Sequence, residues 1–318
     1  MKLASFHHGG HLWAGVIVGH QVHPFPGGVT TLSLVQQGLP AALEAGSLVV
    51  ATSPGVPLAE VRLAPPFLPP SIRDFITFEQ HVEGALRAVV PGADIPAEWY
   101  DAPAFYFTNP HALVGPTEDV SMPPGCEQLD FELEVAAVLG GQGRDLDVDQ
   151  AADLLFGYLV FNDWSARDIQ RREMKVGLGP CKGKDFASTL GPWVVTADEV
   201  SGHHDADRRL DLSMSVEVNG VLVGHDRLSS MAWTFPELVA YASRGAWVRA
   251  GDVLGSGTCG NGCLAERWGR RGEQVPPPLQ VGDVVRMTVE GLGTIENRIV
   301  EGAAPKAIPR ARPRRADS

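Results

Sequence analysis

The sequence predicts an α+β chain that is mostly β. Three observations carry this. The 318 residues include 36 glycines and 25 prolines, a composition that favours a loop-rich sheet body and excludes a helix-only fold. Apolar residues cluster in short runs rich in branched and aromatic side chains, the pattern of buried strands. Turn dipeptides separate the runs, and Asn219-Gly220 is the clearest of them.

Taken in order, Val16 to Val22 reads as a hairpin turned at Gly19-His20. His7, His8, His11, His20 and His23 scatter around it and read as surface imidazoles rather than a metal tract. Residues 30–43 show helical periodicity that ends before Gly46. The run Ala64-Pro65-Pro66-Phe67-Leu68-Pro69-Pro70 stiffens the chain and cannot continue a strand ladder. It divides a small β-rich N-terminal domain, residues 1–65, from a main domain, residues 66–302. Residues 71–81 then read as a capped helix with Phe75 and Phe78 inward and with Asp74 and His81 on a shared face.

Phe105 to Phe107 reads as a strand entering a turn at Asn109-Pro110. In the first half of residues 130–139 apolar and acidic residues alternate, so Glu132 and Glu134 project from one face of a strand, close enough to reach one cation. Unscreened, they repel. Residues 145–155 read as a helix, and Gly157 to Phe161 as a buried strand.

The densest stretch follows: Asn162-Asp163-Trp164-Ser165-Ala166-Arg167-Asp168-Ile169-Gln170, with Gly183-Lys184-Asp185-Phe186 beyond it. Asp163 stands where the strand gives way to a helix, a position that suits an N-cap as well as a ligand. Arg167 and Gln170, three apart, share a helical face. Ser165 lacks the flanking glycines of a nucleophile elbow, which sets aside a serine hydrolase.

Leu190 to Thr196 reads as another buried strand, residues 212–223 as a hairpin, and residues 235–243 as a helix with Pro236 in its first turn. Residues 249–258 read as a turn, a strand and a glycine-rich end suited to close backbone approach to a ligand. Glu266 follows. Residues 281–285 and 287–295 complete the sheet. Gly291 and Gly293 lead into a strand, not a helix, which rejects a dinucleotide fingerprint. The basic tail, residues 303–318 with Arg310, Arg312, Arg314 and Arg315, reads as disordered.

The formal net charge of −12 argues against a nucleic-acid protein. No apolar run has bilayer length and the first residues are not a signal segment, so a cytoplasmic location is expected. Cys126, Cys181, Cys259 and Cys263 are too few and too scattered for a disulfide framework and read as free thiols. Cys259 and Cys263 have a spacing loosely compatible with zinc, without a neighbouring Cys/His pair to complete it.

On Glu132-Leu133-Glu134, the Asn162 to Gln170 run with Gly183-Lys184, Gly251-Asp252-Val253, Gly257-Thr258 and the closing Gly291 to Asn297, the sequence resembles the fumarylacetoacetate hydrolase family from about residue 71 to 300. The resemblance implies a mixed β-sandwich roll, usually a homodimer, with a divalent metal held by Glu132, Glu134 and Asp163. The chain also resembles the fumarylacetoacetase branch. That implies a fourth metal carboxylate at Asp74, a general base at His81 oriented by Glu266, a catalytic Lys184, and substrate contacts at Tyr106, Arg167, Gln170 and Thr258. One residue is inserted between Gln170 and Lys184, and Ala187-Ser188 replaces an expected Gly-Thr pair. An all-oxygen ligand set favours magnesium, with manganese or calcium next. The expected activity is hydrolytic cleavage of a carbon–carbon bond in a β-diketo acid, of the kind met in aromatic compound catabolism. The alternative is isomerisation or decarboxylation of an unsaturated 2-oxo dicarboxylate in the same site.

Overall fold

In the computed structural model, which describes residues 1–89, 92, 94–312 and 314, a twelve-stranded sheet runs through the centre. Its main path is Val56–Pro57, Gln21–Pro24, His11–Val18, Lys2–His8, Ser188–Thr196, Leu155–Asp163, Leu133–Leu139, Val253–Gly255, Ile72–Phe75 and Phe105–Thr108. A five-stranded sheet, Val221–Arg227, Ser213–Val218, Val284–Val289, Gly293–Val300 and Val120–Ser121, stacks against it.

The central strands are apolar on both faces because both faces are covered. Val135, Ala137, Tyr158 and Val160 pack with Met214, Val216, Met287 and Ile295 of the smaller sheet. Their alternate neighbours Ala136, Val138, Leu159 and Phe161 pack with Leu34, Val35, Ala42 and Val49 from two helices. Each fully buried Val, Leu, Ile, Phe or Met among them contributes about 1.5–3 kcal/mol. Lys2 and Leu3 pair with Val195 and Val194, so the N-terminal strands extend the same sheet.

Both hairpins form as expected. Gly19 turns the first with φ +58°, and Asn219 and Gly220 both take positive φ in the second. Three local expectations are corrected. The helix of residues 30–43 is two helices, Thr31–Gln36 and Leu39–Thr52. Gly46 lies inside the second, where a Cβ would stand 2.3 Å from the Met1 side chain; there the glycine serves packing, not termination. Residues 145–155 form only a short helix, Val148–Ala152, started by the Asp147–Gln150 capping box.

The third correction bears on the site. Residues 71–81 are not one helix but the strand Ile72–Phe75 followed by the helix Glu79–Val89. The strand lies between Val253–Gly255, to which it is parallel, and Phe105–Thr108, to which it is antiparallel. Two ladders to distant segments outweigh the local periodicity of its phenylalanines. Residues 301–312 and 314 carry no regular secondary structure, and Arg315 lies outside the described residues.

Candidate active site

Adjacent strands of the large sheet bring their functional side chains together at one end. Asp74 is in register with Gly255 on one side and with Tyr106 on the other. Gly255 in turn faces Ala136, two residues beyond Glu134, and Asn162, just before Asp163, faces Leu133. Side-chain oxygens of Asp74, Glu132 and Glu134 lie within 4.8 Å of one another, all buried. Gly255 makes room for them, since a Cβ there would stand 2.5 Å from Asp74 Oδ1. The Gly257 N–H donates to Glu134 Oε2 at 3.1 Å, and Thr258 Oγ1 lies 3.5 Å from its Oε1.

Asp163 adjoins this trio. Its Oδ2 accepts from the Tyr106 hydroxyl and from Lys184 Nζ. The same hydroxyl lies 3.0 Å from Asp74 Oδ2, and Lys184 also pairs with Glu132. Capping plays no part here: the helix Arg167–Met174 starts at Ala166 without a side-chain cap. Lys184 arrives on a turn laid against that helix, and a Cβ on Gly183 would stand 2.7 Å from the Gln170 nitrogen. Arg167 Nη2 is 2.8 Å from both Glu132 Oε1 and Asp130 Oδ2, and its Nη1 donates to Gln170 Oε1 at 3.1 Å.

Sequence reasoning passed over Asp130. Its carboxylate accepts the N–H groups of Leu264 and Ala265 at 2.8 and 2.9 Å, so it ties Arg167 to the first turn of the helix Leu264–Arg271. The signal was present as the alternation Asp130-Phe131-Glu132-Leu133-Glu134, which puts three acids in step.

Acids outnumber cations in this cluster. Burial, with the charge of Asp163 beside it, pushes the Asp74 carboxyl up to about 7. Burial and the neighbouring Asp74 and Glu132 raise Glu134 well above the carboxylate range. Asp163 is also raised by burial, although Lys184 opposes it. Glu132 behaves differently: burial works to raise it, but Lys184, Arg167 and His81 together hold it well below its ordinary value. Tyr106, raised well above its own by burial and the surrounding acids, remains a donor. Asp74 Oδ1 and Asp163 Oδ1 are buried without a hydrogen-bond partner among the described residues. Orphaned carboxyl oxygens in an all-oxygen donor set fit a hard divalent cation, so the residues present suit the metal that the resemblance implies.

A second polar cluster lies between the helices Glu79–Val89 and Leu264–Arg271. Their close approach depends on Gly84, where a Cβ would stand 2.3 Å from Glu266 Cγ. His81 Nδ1 is 3.5 Å from Glu266 Oε2, and both side chains are buried. The Asn261 N–H donates to Glu266 Oε2 at 2.8 Å, while Arg270 ion-pairs with Oε1 and donates to Asn261 Oδ1 at 2.6 Å. Asp74 and His81 therefore do not share a helical face. One lies in the strand Ile72–Phe75 and the other in the first turn of the helix Glu79–Val89 that follows.

Comparison with known proteins gives the family and the fold. A family profile described as fumarylacetoacetate (FAA) hydrolase C-terminal matches residues 71–300. Fumarylacetoacetase of Arabidopsis thaliana is 30% identical over 256 residues, 66% of this chain and 61% of that protein. The chain thus spans less than two thirds of that relative's length. Oxaloacetate tautomerase YisK of Bacillus subtilis is 30% identical over 244 residues, 76% of this chain and 74% of that protein. Among solved structures, a fumarylacetoacetate hydrolase from psychrophilic Exiguobacterium antarcticum superposes with a TM-score of 0.75 at 26% identity, covering 95% of this chain and 99% of that one.

Proposed function

The chain belongs to the fumarylacetoacetate hydrolase family, and on that premise we propose that it is a metal-dependent hydrolase that cleaves a carbon–carbon bond in a β-diketo acid. The observation that carries this reading is the buried His81–Glu266 pair beside the carboxylate cluster. Enolate chemistry alone has no need of a base that activates water, whereas hydrolysis does.

Asp74, Glu132, Glu134 and Asp163 would hold the ion, with magnesium first. When bound, it would supply Lewis-acid polarisation of the substrate's dicarbonyl oxygens. The protein's own groups account for the remainder. Glu266 faces His81 Nδ1, which favours the tautomer with the proton there and leaves Nε2 free to take a proton from water. Asn261 and Arg270 fix Glu266 in that orientation. Lys184, Arg167 and Gln170 carry donors for a substrate carboxylate or for the oxyanion that follows attack. Tyr106 and Thr258 border the cluster and help position the substrate. The same reading includes a homodimer and a cytoplasmic location.

A second reading has a specific support. The tautomerase relative aligns over more of this chain than the fumarylacetoacetase does. In that reading the site interconverts enol and keto forms, or isomerises or decarboxylates an unsaturated 2-oxo dicarboxylate, without attack by water.

Product analysis with a panel of diketo acids and 2-oxo-enoic diacids separates the two, run with magnesium, with chelator, and on His81→Ala. Hydrolysis is expected to release two acids only with metal, and His81→Ala is expected to lower kcat by about 10²–10⁴-fold. A tautomer or carbon dioxide as product, with the variant still active, sinks the hydrolase.

A further inference from the structure

Cys263 takes no part in the reaction proposed above, yet it stands against the His81–Glu266 pair. His81 Nδ1, Cys263 Sγ and a Glu266 carboxylate oxygen lie within 4.8 Å of one another, all three side chains buried. The sulfur-to-nitrogen separation is 3.8 Å and the nitrogen-to-oxygen separation 3.5 Å. A tetrahedral zinc centre, with Zn–S about 2.3 Å and Zn–N or Zn–O about 2.0–2.1 Å, places its ligand atoms roughly 3.3–3.6 Å apart. For these two separations a shift of a few tenths of an ångström closes the difference, and the sulfur-to-oxygen separation lies within 4.8 Å. Glu266 Oε2 already accepts the Asn261 N–H, and a carboxylate oxygen has a second lone pair for a cation.

The donor chemistry differs from that of the acid cluster. A thiol, an imidazole and one carboxylate suit a borderline-soft cation, whereas Asp74, Glu132, Glu134 and Asp163 offer only hard oxygen. We propose that His81, Cys263 and Glu266 form a second cation site, selective for thiophilic divalent ions such as zinc and separate from the carboxylate cluster. Three protein ligands leave a fourth position for water.

Occupancy has a chemical consequence. Coordination through Nδ1 requires its lone pair, so the imidazole proton moves to Nε2, and the Cys263 thiol proton leaves to solvent as thiolate forms. One proton is released per ion bound. Nε2 then carries hydrogen and has no lone pair for water's proton, so a soft cation silences the base without occupying any of the four carboxylates of the first cluster. This consequence, unlike the site itself, rests on the reading of His81 as base.

Cobalt(II) titration of the full chain in saturating magnesium tests the site without reference to turnover. One equivalent should produce a thiolate-to-cobalt charge-transfer band with tetrahedral visible bands. Cys263→Ser should abolish the charge-transfer band, and Cys181→Ser, which removes an exposed thiol, should retain it. X-ray absorption of the zinc-loaded wild-type chain needs no variant and should show one sulfur at about 2.3 Å. A nitrogen/oxygen-only shell, or a band that survives in Cys263→Ser, overturns the proposal. Turnover supplies the second arm. Zinc should inhibit the magnesium-saturated enzyme, and Cys263→Ser should raise the half-inhibitory concentration at least about 10-fold. A cobalt band with turnover untouched by zinc leaves the site standing and removes His81 as the base.

Discussion

Two buried polar clusters lie side by side in this molecule, one with an excess of acids and one balanced. Around Asp74, Glu134 and Asp163 the acids outnumber the cations, and two carboxylate oxygens have no partner among the described residues. Around Glu266 each carboxylate oxygen is met: Oε1 by Arg270, Oε2 by the Asn261 N–H and His81. The first cluster is incomplete as protein and gains from a further cation. The second has its carboxylate matched by protein donors and holds its shape without an ion, whether or not it also takes one. Under the proposed function, a site that combines the two would keep its proton-handling groups preorganised while its acids wait under repulsion for a metal.

Removing the cation that the acid-rich cluster does possess should have the largest effect. Lys184→Ala leaves Glu132 and Asp163 buried without their nearest positive charge. The expected loss is about 3–5 kcal/mol in urea melts with chelator present. Magnesium at 100 times its Kd should restore about 2.7 kcal/mol. A variant that magnesium does not stabilise at all would mean that the ion does not sit among these carboxylates.

The imbalance also predicts a pH signature. The Asp74 carboxyl rises from an ordinary 3.8 to about 7 in the folded, metal-free chain. A raised carboxyl favours folding while it keeps its proton, and that contribution is lost as pH rises from about 4 toward 7. Asp74→Asn does not titrate. Its stability relative to wild type, measured in chelator, should therefore climb across that window by up to about 1.4 kcal/mol per pH unit. A difference independent of pH would show that Asp74 is not strained by its neighbours.

In the balanced cluster the sensitive feature is space rather than charge. Gly84→Ala drives a methyl into Glu266 Cγ and should cost about 1–3 kcal/mol through overpacking. Gly202→Ala, where nothing lies within 4 Å, is the matched control. If both variants melt with wild type, the two helices are not held at the separation described.

The same contrast explains what the sequence made legible. The Glu132-Leu133-Glu134 alternation and the Asn162 to Gln170 run sit on strands and the start of a helix whose local pattern agrees with the tertiary environment, so their residues could be named beforehand. The strand Ile72–Phe75 could not be recognised, because its two ladders come from residues 105–108 and 253–255, far away in sequence. Asp74 was nonetheless singled out through the family resemblance, although the helix assigned to it was wrong. Asp130 and Arg270 escaped for another reason. Their roles lie in what they hold, the Leu264–Arg271 helix and Glu266, and no local spacing encodes a contact across a core. Gly84 and Gly255 are more extreme, since what matters is the room left by a missing side chain.

The smallest effect should come where charge meets water. On the Ser213–Val218 and Val221–Arg227 hairpin, Arg227 donates to both oxygens of Asp211 at 2.5 and 2.7 Å, the same kind of pairing as in the core. The Arg227 hydrogen bonds, with that of Ser229, pull the Asp211 carboxyl down to about 2. A lowered carboxyl favours folding while ionised, so its contribution is present above about 4 and fades as pH falls toward 2. Solvent screens the pair and side-chain entropy opposes its ordering. Arg227→Ala should therefore leave the urea midpoint at pH 7 where wild type has it, with or without chelator. A loss comparable to that of Lys184→Ala would break the comparison, because it would show that pairing geometry, rather than burial and the count of unmatched acids, sets the cost of removing a cation here.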